Sequence, residues 1–179
     1  MDNFYFSKLV QIRQDNIKVL KRHQLLLIEG PLGTSFLELP KNVFFKKNIN
    51  SCQFFGLVTE KNLILTYYKL FLNKIKGVDL GFSELLLING VGWCVSLKEP
   101  NMLVFSLGYS HVVEYTLKSC VEVILYDKQS FKVFSLDFEI VQQVVADLCN
   151  LRAFNRYKGK GIHKYGQIQK LKISSKLKA

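Results

Sequence analysis

Shifting the sequence by 78 positions against itself lays Leu25 on Leu103, Gly30 on Gly108, Leu39 on Leu117, Val43 on Val121, Leu70 on Leu148 and Gly81 on Gly159. The identities are few, but they tie together one order of elements at one offset: a hairpin, two strands, a helix and a Gly-containing exit. A chain arranged in this way buries each copy's apolar face in its own small core, so the offset predicts two copies of one α/β unit with a boundary near Leu80. The expected fold class is α+β. It comprises two tandem duplicated small α/β domains, residues 1–80 and 81–179, each a mainly antiparallel sheet packed on one helix. A basic C-terminal extension, 152–179, continues the second.

Local patterns fill in the elements. Eight runs, "QLLLIEG", "TSFLEL", "CQFFGLV", "ELLLING", "MLVFSLG", "VVEYTL", "VEVILYD" and "FKVFSL", are short, rich in branched and aromatic residues and bounded by turn formers, as strands are. A first helix is expected from Thr59, as N-cap, with Leu63, Tyr67, Leu70 and Phe71 on one face and "KIKG" as its end. A second is expected from Asp137, with Val141, Val144, Val145 and Leu148 as its apolar stripe and Arg152 closing it. With 49% hydrophobic and 13% aromatic residues, the chain has enough apolar material to offset its conformational entropy.

Charge is distributed unevenly. The formal net charge is +11, and after Asp147 there is no acid at all. Arg152, Arg156, Lys158, Lys160, Lys164, Lys170, Lys172, Lys176 and Lys178 make nine cations in the last 28 residues. A field of one sign in one place draws in a polyanion, either nucleic acid or an anionic membrane surface. Leu171, Ile173 and Leu177 give the tail only a thin apolar face, which favours nucleic acid over a membrane-surface helix.

Within "NRYKGKGIHKYGQIQKLKI", Gly159 and Gly161 permit close backbone approach, and Lys158 and Lys160 alternate with them to meet successive phosphates. Tyr157, His163 and Tyr165 add rings that stack on bases or pack on sugars. The interleaving of aromatic, glycine and lysine points to RNA, and the final "KLKISSKLKA" reads as a flexible arm. If about six of the nine cations neutralise phosphates, log affinity falls against log salt with a slope on the order of five.

The sequence holds no motif for catalysis. There is no GxxxxGK[ST], HExxH, GxSxG or calcium-loop pattern, and the "GVG" at Gly90 to Gly92 lacks the rest of a dinucleotide fingerprint. His111, close to Glu114, is the one pair on which the alternative, a free-standing RNA-binding accessory factor or nucleic-acid enzyme, would rest; a polar contact at a hairpin turn is the preferred reading. Cys52, Cys94, Cys120 and Cys149 form no CxxC pair and read as buried free thiols in a reducing compartment, with no metal or other cofactor expected. The most apolar stretch, "FSELLLINGVGWCVSL", is broken by Glu84, Asn89 and glycines, so no membrane span is expected. The N-terminus lacks the marks of a secretory or transit peptide; an organellar protein with this start would be made in the organelle or have lost its presequence.

Three motifs, "RYKGKGIHKYG" with the following "QIQKLK", "SLGYSHVVEY" and "INGVGWCVSL", resemble the large-subunit ribosomal proteins of the L-six family. That family typically carries Pro-Tyr-Lys-Gly-Lys-Gly-Ile near the C-terminus, Val-Gly-Tyr-Ser-His-Pro-Val-Glu in the middle and Val-Gly-Val-Gly-Tyr before it. The matches here are Tyr157 to Ile162, Gly108 to His111 with Val113 and Glu114, and Gly90 to Gly92.

The resemblance runs from about Gly30 to Ala179. It implies two duplicated α/β domains and a structural protein without catalysis. Its partners would be large-subunit rRNA, near the elongation-factor site, and neighbouring ribosomal proteins, with no membrane and no small-molecule substrate. Tyr157, Lys158, Gly159, Lys160 and Gly161 carry over as RNA-binding residues by motif; the other cations follow from charge. Arg156 and Val112 stand where the family has proline, and the family's Ser-Arg-Ile-Gly-Lys-x-Pro-Ile start is replaced by "MDNFYFSKLVQIRQDN". Together with a composition typical of AT-rich coding sequence, these departures lead to the expectation of a mitochondrial ribosome, with a bacterial cytoplasm as the alternative.

Overall fold

In a computed structural model of the chain, which describes residues 5–11, 16–48, 51–98 and 101–172, every sheet is antiparallel and each of the two helices belongs to a different half of the chain. Two compact units result. One comprises Met1–Gly81 with Leu136–Phe138, the other Phe82–Ser135 with Glu139–Ala179.

The first unit has two three-stranded sheets. Strands β2 (Lys18–Arg22), β3 (Leu25–Gly30) and β4 (Gly33–Glu38) lie in that order, and β6 (Ser51–Leu57) sits between β1 (Tyr5–Gln11) and β5 (Phe44–Lys47). Alternation sets which face is buried: Leu26 and Ile28 in β3, and Cys52 and Phe54 in β6, point inward. Helix α1 (Lys61–Asp79), entered through a single 3-10 turn at Val58–Glu60, closes this core with Ile64, Phe71 and Val78. These three recur every seven residues along one side of the helix. The predicted stripe of Leu63, Tyr67 and Leu70 flanks them, half-buried.

The ends of α1 differ from expectation. Thr59 lies in the 3-10 turn, and no side chain caps the helix start. At the other end the helix runs through Gly77 to Asp79. Gly81, at φ +71°, terminates it, donating its N–H to the Gly77 carbonyl at 3.0 Å. A left-handed residue after the last turn satisfies carbonyls that the helix leaves open, so the stop signal is the second glycine rather than the one in "KIKG".

In the second unit β8 (Cys94–Lys98), β9 (Met102–Ser106) and β10 (Val113–Thr116) form a sheet with β9 central. A four-stranded sheet has the order β11 (Glu122–Asp127), β12 (Ser130–Ser135), β7 (Phe82–Asn89) and β13 (Gly161–Lys164). Helix α2 (Phe138–Leu151) buries Val141, Val144, Val145 and Leu148 against Leu86, Ile88, Phe105, Phe131 and Ile162. Spacing of i, i+3, i+4 and i+7 puts all four on one face.

The duplication is visible strand by strand. β2-β3-β4 corresponds to β8-β9-β10, and β1-β6-β5 to β7-β12-β11, with β13 added in the second unit. Its turns repeat as well. His23 and Asn101, 78 apart, are the non-glycine residues with positive φ among the described residues, at +51° and +54°. Val43 N–H donates to the Pro40 carbonyl at 3.2 Å, and Val121 N–H to that of Lys118 at 3.0 Å. Repeated turn geometry keeps the same offset where side-chain identity has drifted.

Strands β1, β2, β5, β8 and β13 are additional to the eight read from the sequence. The last matters most, because the sequence patterns place no strand or helix at Gly161–Lys164. Its backbone pairs with β7, Ile162 opposite Ile88 and Lys164 opposite Leu86, and Ile162 is 1% exposed.

The thiols are not uniformly buried. Cys52 is buried, Cys94 and Cys149 are half-buried and Cys120 is exposed. Burial pushes the Cys52 thiol up to about 11, so little thiolate exists there at neutral pH. A thiol reagent at neutral pH should therefore modify Cys120 first and Cys52 only on unfolding, as read by mass spectrometry of the labelled peptides. Rapid labelling of Cys52 in the folded chain would contradict the packing of β6. Among the described residues no three His, Cys, Asp or Glu side chains gather to hold a metal, and no helix is long and apolar enough to cross a membrane.

Candidate nucleic-acid interface

Past α2 the chain makes a tight loop before returning as β13. Asn155 builds it: its Oδ1 accepts from the N–H groups of Tyr157 at 2.9 Å and Lys158 at 3.1 Å. Its carbonyl accepts from Gly159 N–H and its N–H donates to the Lys160 carbonyl, both at 2.8 Å. A short polar side chain that bonds the backbone ahead of it fixes such a turn without help from a core. The neck is held by Ile162 N–H on the Arg152 carbonyl at 3.0 Å, and the chain beyond β13 returns so that Lys172 N–H reaches the Arg156 carbonyl at 2.9 Å. "NRYKGKG" is thus a loop pinned at both ends.

On this frame Arg156, Tyr157, Lys158, Lys160, Tyr165, Lys170 and Lys172 are exposed, with Tyr157 at 63% and Tyr165 at 68%. Neither tyrosine is a core residue, and both rings are open to solvent. Lys176 and Lys178 lie outside the described residues.

Other residues singled out in the sequence are engaged inside the unit. Gly161 is buried, and a Cβ on it would collide with the Phe154 backbone, so the close approach it permits is to its own chain. His163 packs its ring on Phe154 at 5.3 Å, half-buried, and desolvation lowers its pKa below the usual histidine value. Its neutral form is favoured, which weakens it as a phosphate contact. Lys164, also half-buried, donates from Nζ to Gln142 Oε1 at 2.5 Å, and Gln142 Nε2 donates to Glu84 Oε1 at 2.9 Å. Pairing of β13 with β7 sends His163 and Lys164 to opposite faces of the sheet, where each finds a neighbour within the unit.

The two central motifs converge on the same place. Arg152 is in contact with two rings, its guanidinium carbon 4.4 Å from the centre of Tyr109 and 5.5 Å from that of Trp93. Tyr109 is held by its hydroxyl on the Leu151 carbonyl at 3.0 Å. Trp93, 8% exposed, fits because two residues beside it have no side chain. A Cβ at Gly90 would overlap its ring, and one at Gly108, where φ is +72°, would lie 2.8 Å from its Nε1. A pocket of about 550 Å³ opens here, lined by Trp93, Gly108, Arg152, Ala153, Asn155, Lys158 and Lys160.

No family model matches the chain. Among curated proteins it is 38% identical to the large ribosomal subunit protein uL6 of Acidobacterium capsulatum, over 82% of this chain and 83% of that one. It is 32% identical to uL6c of Porphyra purpurea, over 93% of both chains, and 31% identical to uL6 of Borreliella burgdorferi, over 89% of both. The chain belongs to the uL6 family of large ribosomal subunit proteins. Within this uL6-family chain, the three sequence motifs occupy neighbouring positions in the second unit: "INGVGWCVSL" supplies Trp93, "SLGYSHVVEY" Gly108 and Tyr109, and "RYKGKGIHKYG" the loop of Lys158 and Lys160. Trp93, Tyr109 and Asn155 were not foreseen as site residues. Their signal in the sequence is an aromatic beside a glycine in "GVGW" and "GYS", and an Asn before the cations. His111 is a turn residue, its ring 6.3 Å from that of Tyr109 and its Nδ1 3.5 Å from Ser110 Oγ.

Proposed function

We propose that this uL6-family chain is a structural constituent of the large ribosomal subunit that binds rRNA through Arg152 and the loop and return segment carrying Arg156, Tyr157, Lys158, Lys160, Tyr165, Lys170 and Lys172. The observation that carries the reading is the acid-free, exposed loop 155–160, which the fold pins to β7 through β13. A fixed loop presents cations and rings at set spacing, so RNA meets a shaped surface and pays little ordering cost on it. Phosphate contacts position the protein and leave sequence selection to other features. The family resemblance adds the elongation-factor side of the subunit and contact with neighbouring ribosomal proteins, with no catalytic step. The setting proposed is a mitochondrial ribosome, on the AT-type composition and the departures at Val112 and Arg156.

Salt titration of binding to large-subunit rRNA tests the reading. Lys158→Gln with Lys160→Gln removes two exposed cations and should lower the magnitude of the log–log slope by about two, with circular dichroism unchanged. A slope equal to that of the wild type would remove these lysines from the interface.

A further inference from the structure

We infer that the pocket between Trp93, Arg152 and the Asn155–Lys160 loop is the seat of one RNA backbone phosphate, with Arg152, held against two rings, as the group that recognises it. This rests on the rRNA-binding reading and goes further, assigning a single ligand group to a specific cavity.

Arg152 carries the argument. Two rings lie within cation–π reach of its guanidinium carbon, Tyr109 at 4.4 Å and Trp93 at 5.5 Å, and Arg152 lines the pocket, so a ligand there meets its N–H edge. That edge is a flat fork of donors whose spacing matches two oxygens of a phosphate, and holding it in place beforehand reduces the entropy lost on binding. The walls fit the same ligand. Lys158 and Lys160 add two cations, and none of the seven lining residues is acidic. Asn155 holds the loop that carries both lysines, its Oδ1 accepting two backbone hydrogen bonds. Gly108 leaves the indole of Trp93 room to stand against the pocket. At about 550 Å³, the cavity has room for a phosphate with its ribose. The guanidinium fork also matches the O6/N7 edge of guanine. Three cations without an acid favour the charged group over the neutral one.

Trp93 is the sole tryptophan of the chain, so the pocket carries its own fluorescent reporter. Nucleoside 3′,5′-bisphosphates of the four bases, titrated into the full chain, should each change the Trp93 emission saturably and with similar half-saturation, while unphosphorylated nucleosides leave it unchanged. Arg152→Lys keeps the charge and loses the fork; it should raise the half-saturation roughly tenfold or more. Lys158→Gln with Lys160→Gln, in the exposed loop, should weaken the response without touching Arg152, which guards against a folding defect in the first variant. A response confined to the guanosine compound, or one left unaltered by both variants, would overturn the assignment. Silence of Trp93 toward all four compounds in a chain that still binds rRNA would sink the pocket alone, whereas loss of rRNA binding in the wild type would sink the reading beneath it.

Discussion

Replacing Phe71 with alanine should cost the first unit about 3–5 kcal/mol of stability. Phe71 is fully buried on α1 and meets Phe54 edge-on at 5.1 Å and Phe45 at 5.7 Å, while Phe45 and Phe54 meet each other at 5.1 Å. The three rings join one helix to two strands of one sheet. Removing the one on the helix therefore leaves a cavity that neither strand fills without breaking the β5–β6 register of Phe45 on Phe54. Denaturant unfolding reads the total, and hydrogen exchange locates it, with the largest loss of protection expected in α1, β5 and β6. A change below about 1 kcal/mol would mean that the site collapses freely and that the aromatic cluster is not the centre of the first core.

Ile162→Ala should have the second large effect, and it separates two accounts of RNA binding. Ile162 is 1% exposed, packs in the second core and faces Ile88 across the β13–β7 pair; its truncation should cost about 2–5 kcal/mol. All nine cations of the tail remain. If the segment acted only as a flexible polycation, rRNA binding would be unchanged. If β13 holds the loop in register, as the hydrogen bond from Ile162 N–H to the Arg152 carbonyl indicates, the affinity for rRNA should fall while the salt slope stays near that of the wild type. Filter binding on the variant at two salt concentrations decides between them.

β13 is also where sequence reasoning went furthest astray. "GIHK" shows no run of apolar residues, and a single isoleucine does not reveal alternation; the strand forms because β7 offers an unpaired edge to which the chain returns after α2. "KVLKR" and "FFKK" are hidden for a related reason: only Val19 and Phe45 are buried, and the exposed residues, apart from Leu20 and Phe44, are charged. By contrast, the duplication was legible because buried positions such as Leu39/Leu117 and Val43/Val121, and the Gly30/Gly108 pair, keep their residue type at the offset. The cation cluster was legible from charge alone. What charge does not reveal is which cations face outward: Lys158 and Lys160 do, whereas Lys164 is tied to Gln142. Nor does it reveal that Trp93 and Tyr109 lie against Arg152, a contact made by residues far apart in the chain and visible only once β8, β9 and α2 are packed.

This fold also changes how the tail should be tested. A chain ended at Leu151 loses β13 and Ile162 together with the charges, so its failure to bind would not separate stability from contact. The most direct test of the central claim is sedimentation of the tagged full chain from lysate through a gradient at moderate and then high salt, beside the Lys158→Gln, Lys160→Gln variant. The wild type should run with large ribosomal subunits and stay there through the high-salt wash, while the variant is released at lower salt. A folded wild-type chain that remains at the top of the gradient at moderate salt would contradict its role as a large-subunit component.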